Sequence, residues 1–471
     1  MKVILADPPA LSRSYDASYP NLGLLYLAGF LRAKMKDSPP EIEYLGPKHT
    51  LSSHLDCLKK ARPQVYGISF SSKTAQLAYE TISSVKQALP STWVVAGGAH
   101  PTAQPFQVME QAPCDVCAVG EGELTFNEIV DAVSHTATPD LSAIDGIVYR
   151  RNGAVVRNKT RAFITHLDDV PYPAWDLIDF KDFPGMHLKK QPVESSLLIS
   201  RGCPYDCAFC SNPVWKSTKP WLRHRSAQNI CGEIELLYDR GVREIYLSSD
   251  ELNFNERWAR ELCQAIINLN HRDVYFQCNM RADKVTDELA RLLSEMNCWM
   301  VHLGMESGNN RVLQGLGKHV TVEQIETAAR TLSKRQIKVF AFMMLFNVWE
   351  EGGELRWERA DEVENSISMM KRLFREKAIH YMSWQFSTPM PGSRLYDIAK
   401  RHGLFNDDPE QIMAHFDEHN VAMRIPGLSE GSMRWKIKKG IMLKDWFMLR
   451  SGNISLRHMW RAWENLKALA Q

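Results

Sequence analysis

The feature that most constrains this chain is an alternation, occurring in two series, of short apolar runs with helical patterns of about ten to fifteen residues. In the first series the runs are VILAD, IEYLG, VYGISF, WVVAGG and CDVCAVG, with LGLLYLAGFLRAKM and AQLAYETISSVKQAL between them. Parallel strands need a long crossover, most often a helix, so this pattern predicts an α/β fold. Residues 1–140 are expected to form a doubly wound, Rossmann-like parallel sheet. Residues 141–190 are expected to hold a hairpin turning at Asn152-Gly153, followed by a linker broken by Pro171, Pro173 and Pro184. The second series runs SSLLIS, EIYLSSD, VYFQCNM, WMVHLGM, KVFAFMMLF and HYMSWQFS. Six such repeats predict a partial (β/α)6 barrel over 191–395, with its site at the strand C-terminal ends. Residues 396–471 read as a helical region. Residues 431–471 carry Trp435, Trp446, Trp460 and Trp463 among nine Lys/Arg and two acids, a composition read as packing over a barrel end in preference to binding an acidic substrate or a membrane surface.

Bulk properties narrow the function classes. A net charge of +2 over 471 residues gives no reason to expect a nucleic-acid partner. The start MKVILADPPALSRSYD has no signal-peptide pattern, and no apolar run reaches the roughly 18 residues of a membrane span. The expectation is a cytoplasmic protein without a transmembrane segment. Thiols stay reduced there, so clustered cysteines among the ten point to metal in place of disulfides.

The cluster is SRGCPYDCAFCSN, residues 200–212, where Cys203, Cys207 and Cys210 follow directly on an apolar run. Iron–sulfur clusters usually take four thiolates, and three leave one iron open. Structural zinc takes four ligands, usually as two pairs, and no second pair follows. Cys231, Cys263, Cys278 and Cys298 lie singly in apolar patterns and read as buried thiols.

CPYDCAFC, with Phe209 just before the third cysteine, resembles the signature of radical S-adenosylmethionine enzymes. The resemblance implies that Cys203, Cys207 and Cys210 hold a [4Fe–4S] cluster whose open iron chelates S-adenosylmethionine, and that reductive cleavage yields a 5′-deoxyadenosyl radical. The cofactor carries the hard step and the protein orients it. The resemblance further implies S-adenosylmethionine contacts at Ser248, Ser249 and Asp250 in LSSDE, Asn279 and Arg281 in NMRAD, and Glu306 and Ser307 in LGMESG. Arg223 and Arg225 follow the cysteine loop. Two departures stand out: LFNVWEEGG replaces a Pro-Gly-Glu-Thr turn, and Asn297 replaces a usual Gly.

The first series lacks G-x-G-x-x-G after its first strand, so a dinucleotide reading has no support. Taken together, YPNLGLLYLAGFLR, GISFSS, VVAGGAHPT and VGEGELTF resemble the cobalamin-binding domain found in one large branch of the same family. This implies cobalamin contacts at Ser69, Ser71, Ser72, Gly97, Gly98, His100, Glu121, Gly122 and Glu123. No Asp-x-His-x-x-Gly string occurs, so the expectation is a base-off cobalamin with no histidine below cobalt, His100 serving hydrogen bonding or structure. Cys114 and Cys117 read as buried thiols in preference to a redox pair.

The resemblance as a whole implies a cobalamin-dependent radical enzyme that methylates an unactivated carbon of a small molecule, fed by an electron donor such as flavodoxin or ferredoxin. The alternatives are an oxidative cyclase or ring-rearranging enzyme without methyl transfer, and a non-catalytic cobalamin or iron–sulfur carrier or sensor.

Overall fold

A computed structural model describes residues 1–9, 18–186, 188–406 and 421–450; Trp460 and Trp463 lie outside the described residues. The first sheet contains β1 (Lys2–Ala6), β2 (Glu41–Leu45), β3 (Val65–Ser69), β4 (Trp93–Gly97), β5 (Val116–Ala118), β6 (Ile147–Arg151) and β7 (Ala154–Arg157), in the order β2-β1-β3-β4-β5-β6-β7. The first five strands are parallel and the last two add antiparallel. Val3, Ile4, Leu5 and Ala6 have no solvent exposure, as expected of strands covered by helices on both faces. The hairpin turns where the sequence predicts, with φ of 51° at Asn152 and 81° at Gly153, the paired positive values a two-residue I′ turn requires.

Ten strands follow: β8 (Glu194–Leu198), β9 (Ser200–Arg201), β10 (Arg223–His224), β11 (Glu244–Ser248), β12 (Tyr275–Met280), β13 (Cys298–Glu306), β14 (Lys338–Leu345), β15 (Val348–Glu351), β16 (Glu354–Trp357) and β17 (Tyr381–Phe386). Six of them form one parallel sheet in the order β17-β14-β13-β12-β11-β8, an open barrel that matches the expected repeat count. LFNVWEEGG proves to begin a small antiparallel ribbon, β15 with β16, turning at Gly352 and Gly353. Asn297 sits at φ 62°, a left-handed position where Asn is the best-tolerated substitute for Gly.

The Pro-containing linker is built on short 3-10 turns at Leu167–Asp169, Trp175–Leu177 and Phe180–Asp182. Buried Trp175 anchors it, donating from Nε1 to Glu233 of the barrel at 2.9 Å. Glu233 also pairs with Arg225 in full burial, so Arg225 is a structural cation. The final described helix, Glu430–Arg450, lies against β17 with Met433, Ile437, Ile441 and Phe447 turned inward. Among the described residues no helix is long and apolar enough to cross a membrane.

Removing one partner of a buried ion pair strands the other charge, at a cost of roughly 3–5 kcal/mol. Glu233→Ala should therefore lower the thermal unfolding midpoint markedly while Glu288→Ala, in an exposed pair, leaves it nearly unchanged; differential scanning calorimetry checks both.

Candidate active site

The C-terminal ends of the two parallel sheets border one cavity of about 570 Å³. From the first sheet come Ser69, Gly97, Gly98 and the segment Gly120–Glu123, with Asn21 and Tyr26 beside them. From the barrel come Ser200, Arg201, Asn212, Trp215, Arg223, Ser248, Ser249 and Asp250. Gly98 has φ 104°, and a Cβ there would lie 2.8 Å from Ser69 Oγ and 2.9 Å from the Phe70 backbone. Only glycine lets these two strand ends approach so closely.

The cysteines sit on the loop 202–222, which is closed at its base by the β9–β10 ladder, Arg201 opposite Arg223. Gly202 makes the exit from β9 at φ 88°, with the Trp221 carbonyl where a side chain would stand. The barrel fixes the loop from several sides. Ala208 N donates to Leu316 O and Leu395 N to Ala208 O, both at 2.8 Å. The Arg281 guanidinium lies 3.6 Å from the Tyr205 ring centre and also bonds Asp283 and the Lys318 carbonyl. The three thiols are half-buried, and burial pushes Cys203 up to about 12 and Cys210 to about 11, with Cys207 raised as well. Among the described residues no three His, Cys, Asp or Glu side chains converge as a single metal ion would require.

The sequence-predicted residues separate into two groups. Ser69, Gly97, Gly98, Glu121, Gly122, Glu123, Ser248, Ser249 and Asp250 border the cavity. Asn279, Arg281, Glu306, Ser307, Ser71, Ser72 and His100 do not line it. Asn279 holds the β11 exit by donating to the Ser249 carbonyl at 3.0 Å and accepting from Tyr246. Glu306, at φ 64°, pairs with Lys318 at 2.9 Å beneath the cysteine loop. Ser307 is fully buried, its Oγ donating to Glu358 at 3.2 Å. Ser71 closes a short capping box with Thr74. His100 has both ring nitrogens engaged, Nδ1 with Ser72 Oγ at 3.0 Å and Nε2 with Tyr79 OH at 2.8 Å, and burial lowers its pKa to about 4. Cys114 and Cys117 are buried separately, facing Met109 and the Pro101 carbonyl.

Sequence reasoning missed Arg201, Asn212, Trp215, Lys318 and Glu358. Arg201 and Asn212 flank the cysteine signature in SRGCPYDCAFCSN and carried a proximity signal. Lys318 and Glu358 carried none, because only folding brings Lys318 against the loop and Glu358 to Ser307.

The residues present fit polar cofactors. Ser200 Oγ, Asn212 Oδ1, Arg223 Nε and Ser249 Oγ are buried at this cavity without a hydrogen-bond partner among the described residues. Buried polar atoms are almost always satisfied, so four unpaired ones on one wall mark a surface made for a ligand rich in donors and acceptors.

Comparison with known proteins agrees with this architecture. Residues 197–353 match the radical SAM superfamily and residues 10–130 the B12 binding domain. The chain belongs to the cobalamin-dependent radical S-adenosylmethionine enzymes, whose cofactors are a [4Fe–4S] cluster, S-adenosylmethionine and cobalamin. It is 29% identical over 463 residues to an uncharacterized methyltransferase of Pyrococcus horikoshii, covering 95% of each chain. It is 26% identical over 406 residues to the anaerobic magnesium-protoporphyrin IX monomethyl ester cyclase of Rubrivivax gelatinosus, covering 84% of this chain and 69% of the cyclase. Its fold is similar to that of the radical S-adenosylmethionine methyltransferase TsrM from Kitasatospora setae with cobalamin and [4Fe–4S] cluster bound, at TM-score 0.71 and 17% identity over 93% of this chain and 91% of that one. The cobalamin-dependent radical enzyme OxsB matches at TM-score 0.72 and 17% identity, over 99% of this chain and 71% of that one.

With both His100 nitrogens committed away from the cavity, His100→Ala should leave the electron paramagnetic resonance spectrum of bound cob(II)alamin unchanged, without nitrogen splitting from a protein imidazole. The same variant should unfold at lower temperature, because Ser72 and Tyr79 lose a shared partner.

Proposed function

We propose that the protein is a C-methyltransferase acting on an unactivated carbon of a small molecule, with Cys203, Cys207 and Cys210 holding the cluster. The observation that carries this reading is the shared cavity: the strand ends of the cobalamin sheet and of the barrel face one space, so a methyl source and a radical source would act on the same bound molecule. The likeness to the Pyrococcus horikoshii methyltransferase over nearly the whole of both chains supports it. So does 25% identity over 480 residues to the cytidylyl-2-hydroxyethylphosphonate methyltransferase of Streptomyces wedmorensis, covering 91% of this chain and 87% of that enzyme.

When bound, the cluster with S-adenosylmethionine supplies a carbon-centred radical that removes a substrate hydrogen, and cobalamin supplies a transferable methyl group. The chain's part is to orient and to exclude water. Ser248, Ser249 and Asp250 at the β11 exit would meet the polar groups of S-adenosylmethionine, held in place by Asn279 from the next strand. Ser69, Gly97, Gly98 and Gly122 would admit the corrin and its tail close to the backbone. Arg281, Lys318 and Glu306 act from behind the loop, fixing the cysteine positions. An electron donor such as flavodoxin or ferredoxin would deliver the reducing equivalent.

The cyclase likeness favours a second reading, oxidative ring closure without methyl transfer. Anaerobic turnover with S-adenosylmethionine carrying a deuterated methyl group separates the two. Methyl transfer gives a product carrying the label, whereas an unlabelled product of altered oxidation level would refute it. Cys203→Ala should abolish the cluster's absorbance and iron content while cobalamin binding persists; loss of both would contradict separate holding sites.

A further inference from the structure

The segment that bears the cysteines and the segment that borders the cobalamin side of the cavity are joined by four charges. Arg201 and Arg223 face each other across the β9–β10 ladder and form the neck of the cysteine loop. Both reach to the exit of β5. Arg223 grips Glu121 with two nitrogens, at 2.7 and 2.9 Å. Arg201 bonds Glu121 at 3.1 Å and Glu123 at 2.5 Å. All four side chains are at most 15% exposed. The aromatic rings of Tyr26 and Phe163 lie against the two guanidinium groups, 5.6 and 4.7 Å from their centres, and the Ile164 carbonyl accepts from Arg223 at 2.8 Å. The two arginines hold the Glu121 carboxyl below its ordinary pKa despite its burial.

We infer that this neck couples the two cofactor sites: a corrin seated against Gly120–Glu123 fixes the carboxylates, the carboxylates fix the arginines, and the arginines fix the loop that presents the cluster to S-adenosylmethionine. The inference rests on the cofactor placement proposed above. It makes Glu121, Glu123, Arg201 and Arg223 positioning residues, acting through the cysteine loop without touching the reacting atoms. Because each ligand would favour the same arrangement of these four side chains, the effect is positive and reciprocal.

The test needs no turnover. Protein with its cluster reconstituted in the oxidised state is dialysed to equilibrium against radiolabelled S-adenosylmethionine, with and without saturating hydroxocobalamin. In the wild type, hydroxocobalamin should tighten S-adenosylmethionine binding by at least about fivefold, and S-adenosylmethionine should tighten hydroxocobalamin binding by the same factor. In Glu121→Gln/Glu123→Gln the factor should fall close to one, whatever the affinity for S-adenosylmethionine without cobalamin. A wild-type factor of one, or a variant that keeps the wild-type factor, would overturn the coupling. If the double variant fails to fold, Arg223→Lys decides, since it keeps the charge and loses the bidentate grip: an intermediate factor supports the coupling and a full one overturns it. Failure of the methyl-transfer reading would appear as unlabelled product with this factor intact. Absence of saturable S-adenosylmethionine binding in the wild type would remove the cofactor placement itself.

Discussion

Two arginines and two glutamates, nearly dry and bonded to one another, form the constraint on which the rest of the arrangement turns. A buried charge is tolerated only when it is paired and hydrogen-bonded, and here the pairing runs between segments almost eighty residues or more apart in sequence, Glu121 and Glu123 on one side and Arg201 and Arg223 on the other. Neither sheet can satisfy its share of these charges alone. The relative placement of the sheets is therefore fixed by electrostatics at the cavity wall, with the apolar packing of Trp175 and the linker behind it supplying the adhesion.

The cysteine loop shows the same logic on a smaller scale. It has little core of its own, so its shape comes from outside contacts: backbone bonds to Leu316 and Leu395, the Arg281 guanidinium against Tyr205, and the Glu306–Lys318 pair below. Burial raises the pKa of all three thiols, so a cluster held there would take them up as thiolates with release of protons. A loop already shaped by its neighbours pays less of the ordering cost at that moment. The left-handed backbone at Glu306, unusual for a residue other than glycine, persists because Lys318 and the adjoining register shift hold the strand end there.

The alternation of apolar runs was sufficient to anticipate both sheets, the six-stranded count and the hairpin, because strand and helix periods are local properties of the chain. The cysteine spacing was legible for the same reason: three residues within one loop carry their own geometry. What escaped were contacts between distant segments. Glu121 and Glu123 stand at a strand-to-helix junction, where capping or cofactor bonding is the natural local reading, and their arginine partners lie in another series of strands. Ser307 illustrates the limit from the other direction. It occupies the predicted strand end, yet its hydroxyl turns into a buried network with Glu358 and Ser366, because the ribbon inserted after β14 delivers Glu358 to that spot. The insertion looked like a departure from a turn motif; folding makes it a route to a buried carboxylate.

The open barrel also bears on how a substrate reaches the cavity. Six strands do not close on themselves, and the N-terminal ends of β8 and β11 carry buried carboxylates, Glu194 and Glu244. Chain from outside the barrel covers them: Tyr19 and Met186 bond Glu194, while Lys190 and Gln191 donate backbone N–H groups to Glu244. Tyr19 stacks on Tyr246 within this plug. Gln277 bridges toward both carboxylates and joins His302 above them. That mouth is filled by satisfied polar groups whose displacement would strand two buried acids. The opposite mouth carries the unpaired Ser249, Asn212 and Arg223 atoms and faces the glycine-rich strand ends of the first sheet. The polar atoms left unpaired are thus on the side that opens between the two sheets, and the paired ones are on the side that is plugged.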